Sequence, residues 1–188
     1  MENKKDGPYF FEWLRLHGEK AYNFAYRLAG NEADARDLVQ DAFLRAYEHR
    51  DRYDPSRPLD SWLLRILQNI YIDGIRRYAH KHTVSIDAPM PTGEASWDEL
   101  LDDAGSDPGD AMIRRETDAL VQRALNSLAV HYRTAVALSD IEGYSYEKIG
   151  EIMSCPIGTV RSRIHQGRTL MRKAFEALQR GGIPDGRA

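Results

Sequence analysis

The sequence predicts an all-α fold of two small helical domains joined by an acidic linker. Apolar residues recur at helical spacing over most of the chain, and no useful length alternates with the period of a strand. Residues 84–110, VSIDAPMPTGEASWDELLDDAGSDPGD, hold eight acids, no Lys or Arg, and a concentration of Pro, Gly and Ser. Such a segment buries too little apolar surface to order itself. It separates a unit at 1–83 from a second at 111–180, with 181–188 expected as a disordered tail. Fourteen Lys/Arg stand against thirteen Asp/Glu before the linker, and twelve against eight after it. Both flanks are therefore mildly basic although the whole chain carries a net charge of -3.

The first unit reads as three helices. Pro8 suits a first helical turn, and Phe10, Trp13, Leu14, Ala21, Phe24, Ala25 and Leu28 follow at helical spacing. Gly30 supplies a stop and Asn31 an N-cap for the next helix. There Ala35, Leu38, Val39, Ala42, Phe43, Ala46 and Tyr47 make one apolar stripe. DRYDPSRPLD is a loop by its prolines and its Asp/Ser content. Asp60 or Ser61 is expected to cap the third helix, which turns Trp62, Leu63, Ile66, Leu67, Ile70 and Ile75 inward. Arg76, Arg77 and Lys81 near its end suit the negative pole of the helix dipole.

The second unit opens with an amphipathic helix from about 111 to 128 and continues with one from about 130 to 141, stopped at Gly143. SYEKIGEIMS is a short helix with Ser145 as N-cap and Ile149, Ile152 and Met153 inward. CPIG is a tight turn, and the last helix begins at TVRSRIHQ. Two helices joined by a short turn, the second rich in Arg, form a helix-turn-helix pattern.

Several classes of function are excluded. No apolar run is long enough to span a bilayer, and MENKKDGPYFF lacks the apolar core of a signal peptide. The single cysteine, Cys155, forbids an internal disulfide framework and fits a reducing, cytoplasmic setting. His80 and His82 have no further ligands at metal-binding spacing, so neither a metal site nor a cofactor is expected. There is no Gly-rich phosphate loop and no nucleophile elbow. Asp37 and Asp41 lie one helical turn apart, but such a pair works as acid and base only when buried. The chain is not read as an enzyme.

Nucleic-acid chemistry is better served. Between Pro156 and Lys173 there are five bases and no acid. Thr159 and Ser162 lie where hydroxyls and free N–H groups receive phosphate. Arg161, Ser162, His165 and Arg168 are expected to face outward, and arginine's planar fork matches guanine or a phosphate. A merely solvated basic face is the alternative. The third helix mixes Trp62, Tyr71 and Tyr78 with Arg65, Asn69, Arg76 and Arg77, a composition suited to unstacked single-stranded bases. Aromatics at this spacing also serve as core. Asp37, Gln40 and Asp41 form either a partner-binding face or a wet one, and composition does not separate these.

The strings ADARDLVQDAFLRAY, SWLLRILQNIYIDGIRR and SYEKIGEIMSCPIGTVRSRIHQGRTLMRKAF resemble regions 2 and 4 of extracytoplasmic-function sigma factors, in that order. The resemblance spans nearly the whole chain except the linker and termini. It implies a bacterial transcription initiation factor whose partners are core RNA polymerase (the β′ clamp helices and the β subunit), promoter DNA and an anti-sigma factor, without membrane insertion. Asp37, Gln40 and Asp41 take the position of the clamp-docking pattern. The loop carrying Tyr53, Asp54 and Ser56 takes that of the loop capturing a flipped minus-10 base. Trp62, Arg65, Asn69, Arg76 and Arg77 would open and hold the non-template strand, where stacking of a captured base offsets its unstacking cost. Thr159, Arg161, Ser162, Arg163, His165, Gln166 and Arg168 would read or grip the minus-35 element. The acidic linker suits a channel built for a polyanion, and equally suits plain spacing.

Two departures from the family pattern stand out. Leu128-Ala129 replaces a usual Leu-Pro, and Gln166-Gly167 replaces a usual Arg-Ala. Gln reads adenine, which implies an altered minus-35 preference. Gly167 costs about 1 kcal/mol of helix propensity relative to Ala and is expected to permit a bend or close approach to DNA. Cys155 is expected to be a small buried filler, with a redox sensor the lesser alternative. A sigma-like decoy would not need the basic helix or the Asn69 and arginine set. A simple helix-turn-helix regulator would leave the first unit unexplained and would normally need a dimerisation element.

Overall fold

A computed structural model describes residues 7–54, 56, 58–82 and 108–180, with side-chain surroundings for 16–54, 56, 58–80 and 117–180. The acidic stretch 84–107, the tail 181–188 and the side chains of Phe10, Trp13, Leu14 and Lys81 lie outside the described residues. No strand occurs among those described. The helices are α1 (Gly7–Ala29), α2 (Glu32–Glu48), α3 (Leu59–His82), α4 (Pro108–Asn126), α5 (Val130–Val136), α6 (Tyr146–Met153) and α7 (Ile157–Gln179). A 3-10 turn at Arg50–Arg52 follows α2, and a π-helical segment at Ala137–Ile141 extends α5.

Local chemistry sets several of these bounds. Gly30 takes φ 81° after α1. The Asn31 carboxamide then accepts from the Asp34 N–H at 2.9 Å while its Nδ2 donates to the Asp34 carboxylate at 2.7 Å. This reciprocal cap satisfies an orphan donor at the start of α2. The predicted stripe is buried at Ala35, Leu38, Ala42 and Ala46, but Tyr47 is exposed, because it sits at the edge of the face. The start of α3 departs from expectation. The helix begins at Leu59, so Asp60 and Ser61 lie in its first turn, where Asp60 accepts from the Ser61 N–H at 2.7 Å.

In the second unit α4 starts at Pro108, a few residues before the expected Ala111. Ser145 caps α6 by accepting from the Lys148 N–H, and Ile149, Ile152 and Met153 are buried as expected. The turn into α7 is sharp, with Ser154 at φ 52° and the Cys155 N–H donating to the Gly150 carbonyl at 3.1 Å. A Cβ on Gly150 would stand 3.0 Å from the Cys155 carbonyl oxygen, so this turn favours glycine there.

The two units share one apolar cluster. It runs from Ala21, Phe24, Leu28, Leu38, Leu63 and Leu67 of the first to Leu138, Ile149, Ile152 and Ile164 of the second. The helix α3 packs against α2 on one side and α6 on the other. The face toward α6 holds buried Gln68 and Ile75, and Gln68 was not expected in the core.

Candidate nucleic-acid and polymerase interfaces

Three surfaces gather the residues singled out from the sequence. The first is on α2. Asp37, Gln40 and Asp41 are all exposed, and their spacing sets them on one face. Leu44, one turn further along, is 55% exposed and adds an apolar contact the sequence reading missed. The signal was available: Leu44 lies four residues after Gln40, outside the buried Ala stripe.

The second surface joins the loop after α2 to the outer face of α3. Asp54 accepts from both the N–H and the hydroxyl of Ser56, at 3.0 and 2.8 Å, which fixes the loop as a local side-chain turn. Tyr53 and half-buried Trp62 lie with ring centroids 5.3 Å apart, tilted by 49°. Burial, with Asp54 and Asp60 nearby, pushes the Tyr53 hydroxyl above its ordinary pKa, so it stays a neutral donor. Arg65, Asn69, Arg76 and Arg77 are exposed along α3. Tyr71 takes the core alternative that its helical spacing left open. Its hydroxyl donates to the Leu28 carbonyl at 2.6 Å and it packs inward, so it offers no ring to a base. Tyr78 stays outside, 39% exposed.

The third surface is α7. Arg161, Ser162, His165 and Gln166 are exposed on it, and Val160 and Ile164 anchor its other side. Thr159, Ser162, His165 and Gln166 share a groove with His131 and Tyr132 of α5. Arg163 is half-buried, within 3.6 Å of the Cys155 sulfur, and turns toward α3. Arg168 is exposed but engaged, donating from Nε and Nη2 to the two Asp140 oxygens at 2.9 and 2.7 Å. Those hydrogen bonds hold the Asp140 carboxyl below the usual carboxylate range and raise the Arg168 pKa.

Two sequence expectations need correcting. Gly167 is buried, and a Cβ there would meet Val136 Cγ2 at 2.5 Å and the Tyr132 carbonyl at 3.3 Å. Its role is close packing of α7 on α5, not approach to DNA. Cys155 packs against the core cluster as expected of a filler but is half-buried, not fully buried. Among the described residues no group of His, Cys, Asp and Glu could hold a metal ion, and no helix is long and apolar enough to cross a membrane.

Comparison with known proteins identifies the family. The Sigma-70 region 2 family matches residues 13–81 and the Sigma-70 region 4 family matches residues 118–171. The chain is 34% identical over 175 residues to the ECF RNA polymerase sigma factor SigW of Bacillus subtilis, covering 93% of each. It is 32% identical over 151 residues to the ECF RNA polymerase sigma-E factor of Escherichia coli K12, covering 78% of this chain and 76% of that one. A solved relative is the Bartonella quintana sigma factor RpoE, in complex with the anti-sigma factor NepR. The TM-score to it is 0.66 at 26% identity, over 89% of this chain and 96% of that one. Two region matches in order, a full-length relative and a common fold converge: this chain belongs to the extracytoplasmic-function sigma factors, which direct RNA polymerase to promoters.

Proposed function

We propose that the work of this sigma factor is divided among the three surfaces, with α2 docking the polymerase and α3 and α7 reading promoter DNA. The observation carrying this division is that Asp37, Gln40 and Asp41 on α2, Arg65 and Asn69 on α3, and Arg161, Ser162, His165 and Gln166 on α7 are exposed while the apolar residues between them are buried. Residues 1–83 act as the polymerase and minus-10 unit, residues 111–180 as the minus-35 unit, and 84–110 as their tether. Asp37, Gln40 and Asp41, with Leu44 as apolar anchor, meet the β′ clamp helices. Tyr53, Asp54, Ser56 and Trp62 receive an unstacked minus-10 base, and stacking on the Tyr53–Trp62 pair offsets its extraction from the duplex. Arg65, Asn69, Arg76 and Arg77 hold the adjacent strand.

On α7, Arg161, Ser162, His165 and Gln166 read the minus-35 major groove while Thr159 contacts backbone. Arg163 and Arg168 are positioned as supports, the second locked by Asp140. The solved relative's complex supports a further reading, that an anti-sigma factor restrains this chain as well.

Reconstituted transcription tests the division. Core polymerase, the purified chain and a promoter library randomised at both elements should yield start-site-specific transcripts that require the chain. Arg161→Ala should lower minus-35-dependent transcription about tenfold, the loss of one base contact worth roughly 1–3 kcal/mol, with core binding intact. Replacing Asp37 and Gln40 together should abolish core binding and leave the isolated DNA preference unchanged. Loss of DNA reading in that double variant would sink the assignment of α2.

A further inference from the structure

A cavity of about 270 Å³ beside α3 has a lining that neither core packing nor the proposed function explains. Its apolar walls are Ile72 and Ile75 of α3, facing Val130 of α5 and Met153 of α6. Deep in it stands Gln68, only 4% exposed, with an Oε1 that has no hydrogen-bond partner. A buried acceptor left unpaired is costly, and native folds pair nearly all of theirs. An apolar side chain of similar size would fill the same place without that cost. The volume lies near the lower end of small-ligand pockets, about 300–1,000 Å³, and apolar walls with a few convergent polar groups are their usual character.

Basic side chains surround the same space. Arg76 comes from α3, Arg163 from α7 and the His131 imidazole from α5. Among the described residues no Asp or Glu lines the cavity. Arg76 has Asp73 at 3.8 Å, but both side chains are more than half exposed, so that pair is worth little. Arg163 donates to the Cys155 sulfur at 3.6 Å, a weak acceptor. Two guanidiniums converging on one space from different helices repel each other. An oxyanion between them converts that repulsion into charge-assisted hydrogen bonds. Water alone would satisfy Gln68 and leave both cations unneutralised.

We propose that this cavity is a binding site for a small amphipathic oxyanion, its apolar body between Ile72, Ile75, Val130 and Met153 and its anionic head on Arg76 and Arg163. A hydroxyl or amino group on the body donates to Gln68 Oε1. The head is a carboxylate or a phosphate, since the arginine fork matches both. An occupied site withholds Arg76 from the non-template strand and engages Arg163, which supports the minus-35 helix. Promoter-dependent transcription therefore falls as the anion accumulates. This consequence, unlike the binding itself, rests on the division of function proposed above.

Amide chemical shifts of the full chain test the binding, with 4-hydroxybenzoate and 4-hydroxyphenyl phosphate as probes. Benzoate, which lacks the donor, and 4-hydroxybenzyl alcohol, which lacks the charge, are the controls. Either hydroxylated anion should saturably shift the amides of Gln68, Ile72, His131 and Arg163, and the tighter of the two names the head group. Each control should bind about tenfold more weakly, the weight of one lost bond. Gln68→Leu, which keeps the packing apolar, should bind 4-hydroxybenzoate no better than benzoate. Ile72→Phe, which fills the cavity from a half-buried wall, should abolish the shifts. The proposal is overturned by no shift from either probe up to about 10 mM, weaker than ordinary ligand recognition. Shifts confined to other parts of the chain, equal binding of the neutral alcohol, or undiminished discrimination in Gln68→Leu would overturn it too. In reconstituted transcription, saturating probe should lower the parental output about threefold and leave that of Gln68→Leu unchanged. Binding in the cavity with no loss of transcription would uphold the site and sink only the assignment of Arg76 to DNA.

Discussion

Gly167 shows how one residue's role follows from what surrounds it. On propensity alone, alanine there should stabilise α7 by about 1 kcal/mol. The added methyl would stand 2.5 Å from Val136 Cγ2 and close to a backbone carbonyl, and overpacking of this kind costs about 1–3 kcal/mol. Steric cost should win, so Gly167→Ala should lower the unfolding midpoint, and adding Val136→Ala should recover part of the loss. Thermal denaturation of the single and double variants checks this, and an unchanged midpoint in the single variant would contradict the packing role. The Asp140–Arg168 pair carries a pH signature instead. The folded carboxyl titrates lower than its unfolded value near 3.9. The pair's stabilisation is therefore complete above about pH 4 and fades as pH falls through the depressed folded pKa. Both side chains are partly exposed, so Asp140→Asn should cost only about 0.5–1 kcal/mol at pH 7. That difference should shrink in urea titrations at pH 3.

At the scale of the helix, caps made the boundaries legible and tertiary pairing hid the rest. Gly30, Asn31 and Ser145 announced where α1 stops and where α2 and α6 begin, because the capping bonds join residues within a few positions. Asn31→Ala should cost about 1 kcal/mol and fray the first turn of α2, which amide exchange at Asp34 and Ala35 would report. Unchanged exchange there would leave the cap without energetic weight. The same local logic misjudged α3. Its outward residues Arg65 and Asn69 were legible, yet its second buried face was not. Gln68 looks like a surface group, and the polar partner of Tyr71 is hidden, until α6 and Arg133 are brought against them by a fold that bridges more than sixty residues. Arg133 likewise reads as one more basic residue, since its acceptors are backbone carbonyls that leave no trace in composition. The exposed face of α2 was legible in its polar members and not in Leu44, whose exposure is known only once the Ala stripe is seen to be buried.

Taken whole, the molecule is two units by sequence and one core by packing, and those descriptions make different predictions about unfolding. Independent units would melt separately, each with its own midpoint. The apolar cluster instead runs without a break from Phe24 and Leu67 to Leu138 and Ile164, and Arg133 sits in its polar seam. Each fully buried Leu or Ile contributes about 1.5–3 kcal/mol, so the side chains that only the other unit covers couple the two strongly. Calorimetry of the free chain should therefore give one transition, with equal calorimetric and van't Hoff enthalpies. The double variant Asp118→Ala, Tyr144→Phe loses the bonds to Arg27 and Asp60 across the seam and leaves the interior of each unit intact. Its endotherm should broaden or divide, and the calorimetric enthalpy should exceed the van't Hoff value. Two transitions in the parent chain would mean that the units do not stabilise each other.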